Sequence, residues 1–597
     1  MRSTFLGFEV SKRSIQISQK ALDITNNNLS NVKTEGYTRQ RVDLNSSYIN
    51  VTGKYATKLS RLSLNGQGVN AFGVSQIRDP YIDKRYREFT AYVAECDVKI
   101  EVLEDTERIL DDIGNLGLLS NLDSLKAALA KYATDSPFSK ELASVVRNTA
   151  SSVCQTLRSY YTDLENLRNE NVIELKNSIS EVNELIDKIV MYNGIITGEY
   201  NVTAADKIYY GESVIGSYGP NELIDQRNQF IDELSYFGNI KVYDNDDGSV
   251  RIEMAGTTII DGTKYEQVVM KDYDKYKAAV LVFSNGDPVD CASGDLKARM
   301  DMLNGNGTYA SFYQNSEYGI PYYQSTLNAF AQEFAELMNT LNGCTAEDTS
   351  RAMFGTDEDE YDDNGVCINR AIITAYNIRI SEEWMNDATM IGQNYVALQD
   401  RIDQSYDEYF RKAKMEAYEA AVANGDISDQ VGDANYVSFE DYDGFTKEDF
   451  EATDVNGDPT NEYYKQHLDE ARRLEANYDG WVLSLDNTNV NKLYLGMDQE
   501  ITIGRAGEFK GSIYDYCLFV DNRLSESISY YKDQYDLNGQ NAEALLDLRA
   551  SISGVSETEE GVNMLNYENW FNANSRMLTA MDECIDRLIN NTGIAGR

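Results

Sequence analysis

The chain has 597 residues, 42 % hydrophobic and 25 % charged, ordinary proportions for a folded multidomain protein. Its 98 acidic and 54 basic residues give a net charge of −44, which makes nucleic acid and anionic membrane surfaces poor partners. Seven scattered cysteines with no Cys-x-x-Cys pair, and a single histidine, argue against a disulfide framework, a structural zinc site and Ser-His-Asp chemistry.

No apolar run approaches the ~18–20 residues of a membrane helix. The start, Met1–Glu9, does not look like a secretory signal peptide. The expectation is therefore a cytoplasmic protein, or one exported by a route that uses no such peptide. Most cysteines read as small core hydrophobes. His467, in the charged stretch Tyr464–Glu470, reads as a solvated surface residue.

In chain order, residues 3–30 read as a helix with two apolar stripes. Phe8, Ile15, Leu22 and Leu29 form one; Val10, Ile17 and Ile24 form the other. A surface helix needs one stripe, so two predict neighbours on both sides. Residues 36–78 alternate and carry glycines, predicting strands and turns. A helical pattern returns from Tyr81 to Tyr132, with a break at Asp135-Ser136-Pro137. Then Val153 to Ile189 step by four and three apart from one five-residue step between Leu167 and Val172, a coiled-coil-like seam that Gly194 and Gly198 are expected to stop.

Residues 239–254 carry a hairpin signal around Asp246-Asp247-Gly248, within a β-rich domain expected over 205–292. Leu327 to Leu341 is helical again. Residues 345–365 read as a solvated acidic loop, and 394–480 as an acidic outer insertion with helices near 398–424 and 460–477. Trp481 reads as a core residue at a domain edge. The last helix, 558–590, puts Met564, Phe571, Leu578 and Ile585 at one heptad position and Tyr567, Asn574, Met581 and Leu588 at the other. Matching heptads at both chain ends predict that the ends pair.

Two acidic turns begin like calcium loops. Asp454–Asp458 puts its glycine fourth and Lys465 twelfth, and Asp441–Gly444 puts Ala452 twelfth. An EF-hand needs glycine at six and a bidentate carboxylate at twelve, so both read as solvated turns. No phosphate loop, nucleophile elbow or His-Glu-x-x-His motif occurs. No catalytic, metal or cofactor residue is assigned. An enzyme hidden in 394–480 is a residual alternative.

The run Ala21–Gln40 (ALDITNNNLSNVKTEGYTRQ) resembles the N-terminal signature shared by flagellar axial proteins of the rod, hook and junction. Three further segments, Gly219–Leu234, Ser293–Asp301 and Ser551–Leu565, resemble the flagellar hook-associated protein 1 family. After Leu565 the chain departs from the family's Gln/Ala-rich helix with Tyr567-Glu568-Asn569-Trp570-Phe571, and 394–480 has no counterpart.

The resemblance implies a structural junction protein between hook and filament, not an enzyme. It implies self-association in a ring, contacts to the hook protein and to a second junction protein, a cytoplasmic chaperone on the C-terminal region, and export by the flagellar type III apparatus. The alternatives are a hook or distal rod subunit, or a cell-surface coiled-coil binding protein.

The expected fold is mainly α with β-rich insertions. Residues 1–45 with 545–597 form a terminal coiled-coil domain. Residues 46–204, 293–393 and 481–544 form a helical rod domain; 205–292 an outer β domain; 394–480 an acidic helical insertion. The implied assembly residues are Phe8, Ile15, Leu22, Asn27, Asn28, Leu29, Asn31, Gly36, Tyr37, Arg39, Met564, Phe571, Leu578, Met581, Ile585 and Leu588. Asn26–Asn31 would end the first helix, Gly36 would turn the chain, and Tyr37, Arg39 and Arg41 would touch neighbours.

Overall fold

The structure is a computed structural model. It describes residues 4–46, 68–110, 117–135, 139–210, 220–271, 273, 278–312, 314–345, 349–361, 367–429, 435–454, 457–477, 481–485, 488–504 and 507–590, with side chains undescribed at 4–6, 135, 199–210, 394–396 and 481–485. The Trp481 expectation, the Ser136-Pro137 break and the tip of the 36–78 strand region lie outside what is described.

Helix α1 (Thr4–Ser30) is followed by the antiparallel strands β1 (Gln40–Ser46) and β2 (Val69–Gln76). Helices α2 (Pro80–Leu110), α3 (Leu118–Asp135), α4 (Lys140–Tyr210) and α5 (Asn221–Phe237) come next. A four-stranded antiparallel sheet then runs in sequence order: β3 (Ile240–Asp244), β4 (Val250–Met254), β5 (Thr257–Asp261) and β6 (Lys264–Tyr265). After short strand pairs come α6 (Asp295–Asn304), α7 (Ile320–Leu341) and the strand β7 (Gln393–Ala397). Beyond it lie α8 (Leu398–Asn424), α9 (Glu462–Asn477), β8 (Trp481–Leu485), α10 (Ile513–Ser553) and α11 (Glu557–Asn590). The chain is mainly α with small sheets, as expected. No helix among the described residues is long and apolar enough to cross a membrane.

The chain divides into two compact units. The first contains residues 1–109, 163–325 and 521–597. Its core joins Leu175, Val182, Ile186 and Ile189 of α4 to Ile231 and Leu234 of α5 and to Val250, Ile252, Met254, Ile259 and Ile260 of the sheet. The four-and-three spacing of α4 faces this core, and the alternation of β4 lays its apolar residues on the same side.

Gly194 and Gly198 do not stop α4, which continues to Tyr210. Asn193 explains this locally. It is fully buried, donates to the carbonyls of Val250 (3.4 Å) and Gly262 (2.8 Å), and accepts from the Val250 N–H (3.2 Å). Ile196 is buried as well. Tertiary contacts on both sides of Gly194 outweigh the ~1 kcal/mol each helical glycine costs. Helix also occupies the front of the 205–292 span, through α5; the strands are confined to 240–283.

The second unit contains residues 110–162 and 326–520. Phe330, Phe334, Phe354 and Trp384 pack in succession, with ring centroids 5.9, 5.0 and 6.0 Å apart and geometries that run from stacked through tilted to edge-to-face. The stretch expected to be a solvated loop is here partly core: Arg351–Thr356 is buried. The Asp359 side chain is enclosed too, because Arg370 pairs with it (3.2 Å) and with Glu383 (2.7 Å). A cation inside the fold lets these carboxylates leave water.

Strands β7 and β8 pair antiparallel, Gln393 to Leu485 and Ala397 to Trp481, so the chain enters and leaves the 398–480 module side by side. Within the module His467 is only 5 % exposed, not solvated as expected. It lies against the rings of Tyr406 (5.4 Å) and Tyr464 (6.1 Å), both of which also pack on the buried Phe450, and its Nδ1 is 3.2 Å from Ser405 Oγ. The polar neighbours that suggested solvent lie on the other face of α9, an amphipathic helix.

Cys96, Cys154, Cys291, Cys367 and Cys517 are buried, Cys344 is half-buried and Cys584 exposed; all are free thiols. Burial pushes Cys96 up to about 11 and Cys154 and Cys291 up to about 12, leaving protonated, unreactive thiols.

Candidate assembly site at the joined chain ends

Helix α1 pairs with α11 of the same chain. Two contacts set the direction as antiparallel. Asn28 Nδ2 donates to Glu560 Oε2 at 3.1 Å, and a Cβ built on Gly7 would fall 2.3 Å from Met581 Cε. The fully buried line of α1 is Ser11, Ser14, Ile17, Ser18, Ala21, Ile24, Thr25 and Asn28. Small residues dominate it and allow close approach of the backbones. Ile17 and Ile24, from the second apolar stripe, belong to this line.

Phe8, Ile15, Leu22 and Leu29 flank the buried line and are half-buried. On α11, Met564, Tyr567, Phe571, Asn574, Leu578, Met581 and Ile585 are half-buried, and Leu588 is half-exposed. One partner helix cannot cover more. Val562, Leu565, Met577 and Ile589 of α11 also remain half-exposed or more.

The turn after α1 is held by a polar cluster. Asn28 is buried, and its side chain pairs with Gln40 as a strand would: Nδ2 donates to the Gln40 carbonyl at 2.8 Å and Oδ1 accepts from the Gln40 N–H at 3.0 Å. Tyr37 Oη donates to the same Oδ1 at 2.8 Å. Asn27 Nδ2 reaches Tyr37 Oη (3.3 Å) and Glu222 Oε1 (3.4 Å). Asn31 Nδ2 donates back to the Asn27 carbonyl at 2.9 Å. The Asn-rich run thus ends the helix with its side chains bonded to backbone. Gly36 has φ +76°, and a Cβ there would lie 2.1 Å from Gln229 Nε2, so a side chain at this position would be strained and would push Gln229 aside.

Arg39 is anchored within its own chain to the last helix. Its guanidinium pairs with the buried Glu560 at 2.7 Å and with Glu559 at 2.8 Å, and its N–H donates to the Ser553 carbonyl at 2.8 Å. A buried carboxylate needs such a partner. Arg41 pairs with Asp43 at 3.3 Å.

Helix α5 completes the cluster. Asp225 accepts from the Thr38 N–H at 3.0 Å and from Gln76 Nε2 at 2.9 Å. Burial raises the Asp225 carboxyl above its ordinary range despite these bonds and the charge of Arg78. Asp232 behaves oppositely. Burial alone would raise it, but Arg87 (2.6 Å), Arg549 (2.7 Å) and the more distant Arg78 hold it below. Arg549 also pairs with Asp83 at 3.1 Å, and Arg78 pairs with the same carboxylate.

Three of the four quoted segments, 21–40, 219–234 and 551–565, therefore meet in one place. The fourth is structural: a Cβ on Gly294 (φ +107°) would strike the Gly238 backbone at 2.6 Å, and Asp301 is buried against Lys99 (2.9 Å) and Lys297 (2.7 Å). The sequence reading missed Glu222, Asp225 and Glu560 as site residues although they lie in those segments. It missed Arg549 and Asp232 because nothing local marks a charge that will be buried. Among the described residues no group of side chains is arranged to hold a metal ion.

Residues 103–354 match the flagellar hook-associated protein FlgK helical domain. The chain is 25 % identical over 610 residues to flagellar hook-associated protein 1 of Bacillus subtilis (strain 168), covering 100 % of each. It is 22 % identical over 586 residues to the protein of the same description from Escherichia coli (strain K12), covering 96 % of this chain and 98 % of that one. A solved structure of the flagellar hook junction protein FlgK from Burkholderia pseudomallei covers 79 % of this chain and 100 % of that chain, at 10 % identity and a TM-score of 0.48.

Proposed function

The chain belongs to the flagellar hook-associated protein 1 family, and on that premise we propose that it self-associates in a ring between hook and filament. It is a structural component of the flagellum, not an enzyme. The observation that carries the reading is full-length similarity to a protein of that description, with both chain ends included.

In this reading the α1–α11 pair is the axial element, and Phe8, Ile15, Leu22, Leu29, Met564, Phe571, Leu578, Met581, Ile585 and Leu588 line its contacts to neighbouring copies. Asn27, Asn28, Asn31, Gly36, Tyr37 and Arg39 shape the turn that supports it. The half-buried flank of α1 and the exposed Val562, Leu565, Met577 and Ile589 leave apolar surface that further copies would cover. The hook protein and a second junction protein lie on either side of the ring. A cytoplasmic chaperone shields α11 before export through the flagellar type III apparatus. The 398–480 module faces solvent.

Electron microscopy of cells lacking this chain, with flagellin assayed in the medium, tests the reading. Hooks without filaments and flagellin released as monomer are expected. Missing hooks would move the chain to the rod or hook, and normal filaments would overturn the reading.

A further inference from the structure

We propose that the basic segment Ser47–Gln67 of one copy seats in an acidic cavity of the next, a head-to-tail contact that rests on the self-association reading above. The cavity, about 1120 Å³, lies behind the Asn31–Thr38 turn, between α4, α5 and the end of α10. Its wall contains the buried apolar residues Leu185 and Phe237. Glu184 is paired with Lys188 at 2.8 Å and Asp232 with Arg549 at 2.7 Å, so these charges cancel. The exposed carboxylates of Glu35, Glu181 and Glu233 line the same cavity and have no ion pair among the described residues. The cavity therefore presents net negative charge around an apolar wall.

A matching occupant is present in the same chain. From Leu44 to Arg78 there is no aspartate or glutamate, in a protein that has 98 of them. Within Ser47–Gln67 stand Lys54, Lys58 and Arg61, interleaved with Tyr48, Ile49, Tyr55, Leu59 and Leu62. Cationic side chains between apolar anchors suit a carboxylate rim over an apolar wall.

Geometry favours a second copy over the segment's own chain. Strands β1 and β2 hold the segment's ends where Ser46 pairs with Val69. That point lies beside the first turns of α1: Gly68 is against Val10, and Arg13 Nη1 is 3.5 Å from Asn70 Oδ1. The cavity begins at Asn31, and Val10 to Asn31 spans roughly 32 Å of helix. Ser47–Gln67, returning on itself, reaches only about 35 Å when fully extended. It would arrive at its own cavity with no length left to lie in it. An element with a plug at one end and a socket at the other makes heterologous contacts, which close into rings or run on as helices.

The test uses full-length chains in which Cys344 and Cys584 are changed to serine. One preparation carries Ser60→Cys and another Glu181→Cys. They are mixed under conditions where light scattering shows association, then treated with a short bismaleimide. The expected result is a covalent dimer in the mixture and in neither preparation alone. Reversing Lys54, Lys58 and Arg61 to glutamate lowers its yield about tenfold or more, and Glu35→Lys with Glu233→Lys in the partner restores it. Association without the covalent dimer overturns this contact and leaves the self-association reading standing. A chain carrying both cysteines that links only to itself does the same, by placing the segment in its own cavity. Chains that stay monomeric at every concentration overturn both.

Discussion

Asn28 and Gln40 are paired through both backbone polar groups of Gln40, at 2.8 and 3.0 Å, although a helix end and a turn separate them. The side-chain amide takes the place of a neighbouring strand. It starts β1 at Gln40 and fixes how the chain leaves α1, while its Nδ2 also reaches Glu560 on the last helix. One buried asparagine thus joins the two ends of the chain.

Asn28→Ala should cost about 2–3 kcal/mol, because the buried Gln40 N–H and the Glu560 carboxylate each lose a partner. Hydrogen exchange at the Gln40 amide would rise 30-fold or more at that cost, by the factor of ten per ~1.4 kcal/mol. An unchanged rate would mean that water or another group replaces the amide without cost.

Gly36→Ala meets two obstacles, a positive φ and the Gln229 side chain. The backbone strain alone is worth about 1–2 kcal/mol. Adding Gln229→Ala should recover the steric part and leave the strain. Denaturant midpoints of the two variants would separate these contributions.

Acid should loosen α10 at Arg549. The folded pKa of Asp232 is depressed, so its ionised form stabilises the fold fully above the unfolded value of 3.8. That stability is lost as pH falls through the folded value. Limited proteolysis between Leu546 and Ser553 should therefore speed up below about pH 4. Asp232→Asn should make cleavage faster at neutral pH and flatten its acid dependence.

The 398–480 module should weaken at a milder acidity. Burial lowers the His467 pKa below 6.5, against the opposing pull of Glu470 and Asp403. The neutral ring is the form the fold prefers, so this stability is present above 6.5 and is lost as pH falls through the folded value. Exchange of amides in α8 and α9 should quicken across that window in the native chain. His467→Leu should remove the pH step.

Phe450→Ala should unfold this module before the rest. Phe450 is fully buried against Tyr406 (5.3 Å), Phe410 (5.5 Å) and Tyr464 (5.1 Å). Losing it should cost about 3–5 kcal/mol, a large share of what a small module has. Differential scanning calorimetry should show a separate early transition. A single unshifted transition would mean that the module is held by more than its aromatic cluster.

What the sequence determined by itself was periodicity and identity. The four-and-three steps of Leu175–Ile189 and of Met564–Ile585 were legible because helical faces repeat along the chain. The asparagines of Asn26–Asn31 and the glycine at 36 were legible as a stop and a turn, since those residue types tolerate such backbone. The quoted segments also carried the resemblance to the flagellar hook-associated protein 1 family, because motif residues keep their order. Burial of charge was decided only by the tertiary structure. Arg39, Glu560, Asp232, Arg549 and Asp359 all look like surface residues in sequence, and each is enclosed because an opposite charge arrives from a distant segment. His467 reads as solvated among charged neighbours, yet it turns inward because α9 places it against Tyr406 and Tyr464. Gly194 reads as a stop, yet the helix passes through because Asn193 is tied to the sheet on one side and Ile196 is buried on the other. In each case a deciding partner lies outside the residue's own helix or turn, from 11 residues away for Asp359 to several hundred for Glu560, where local propensity has no influence.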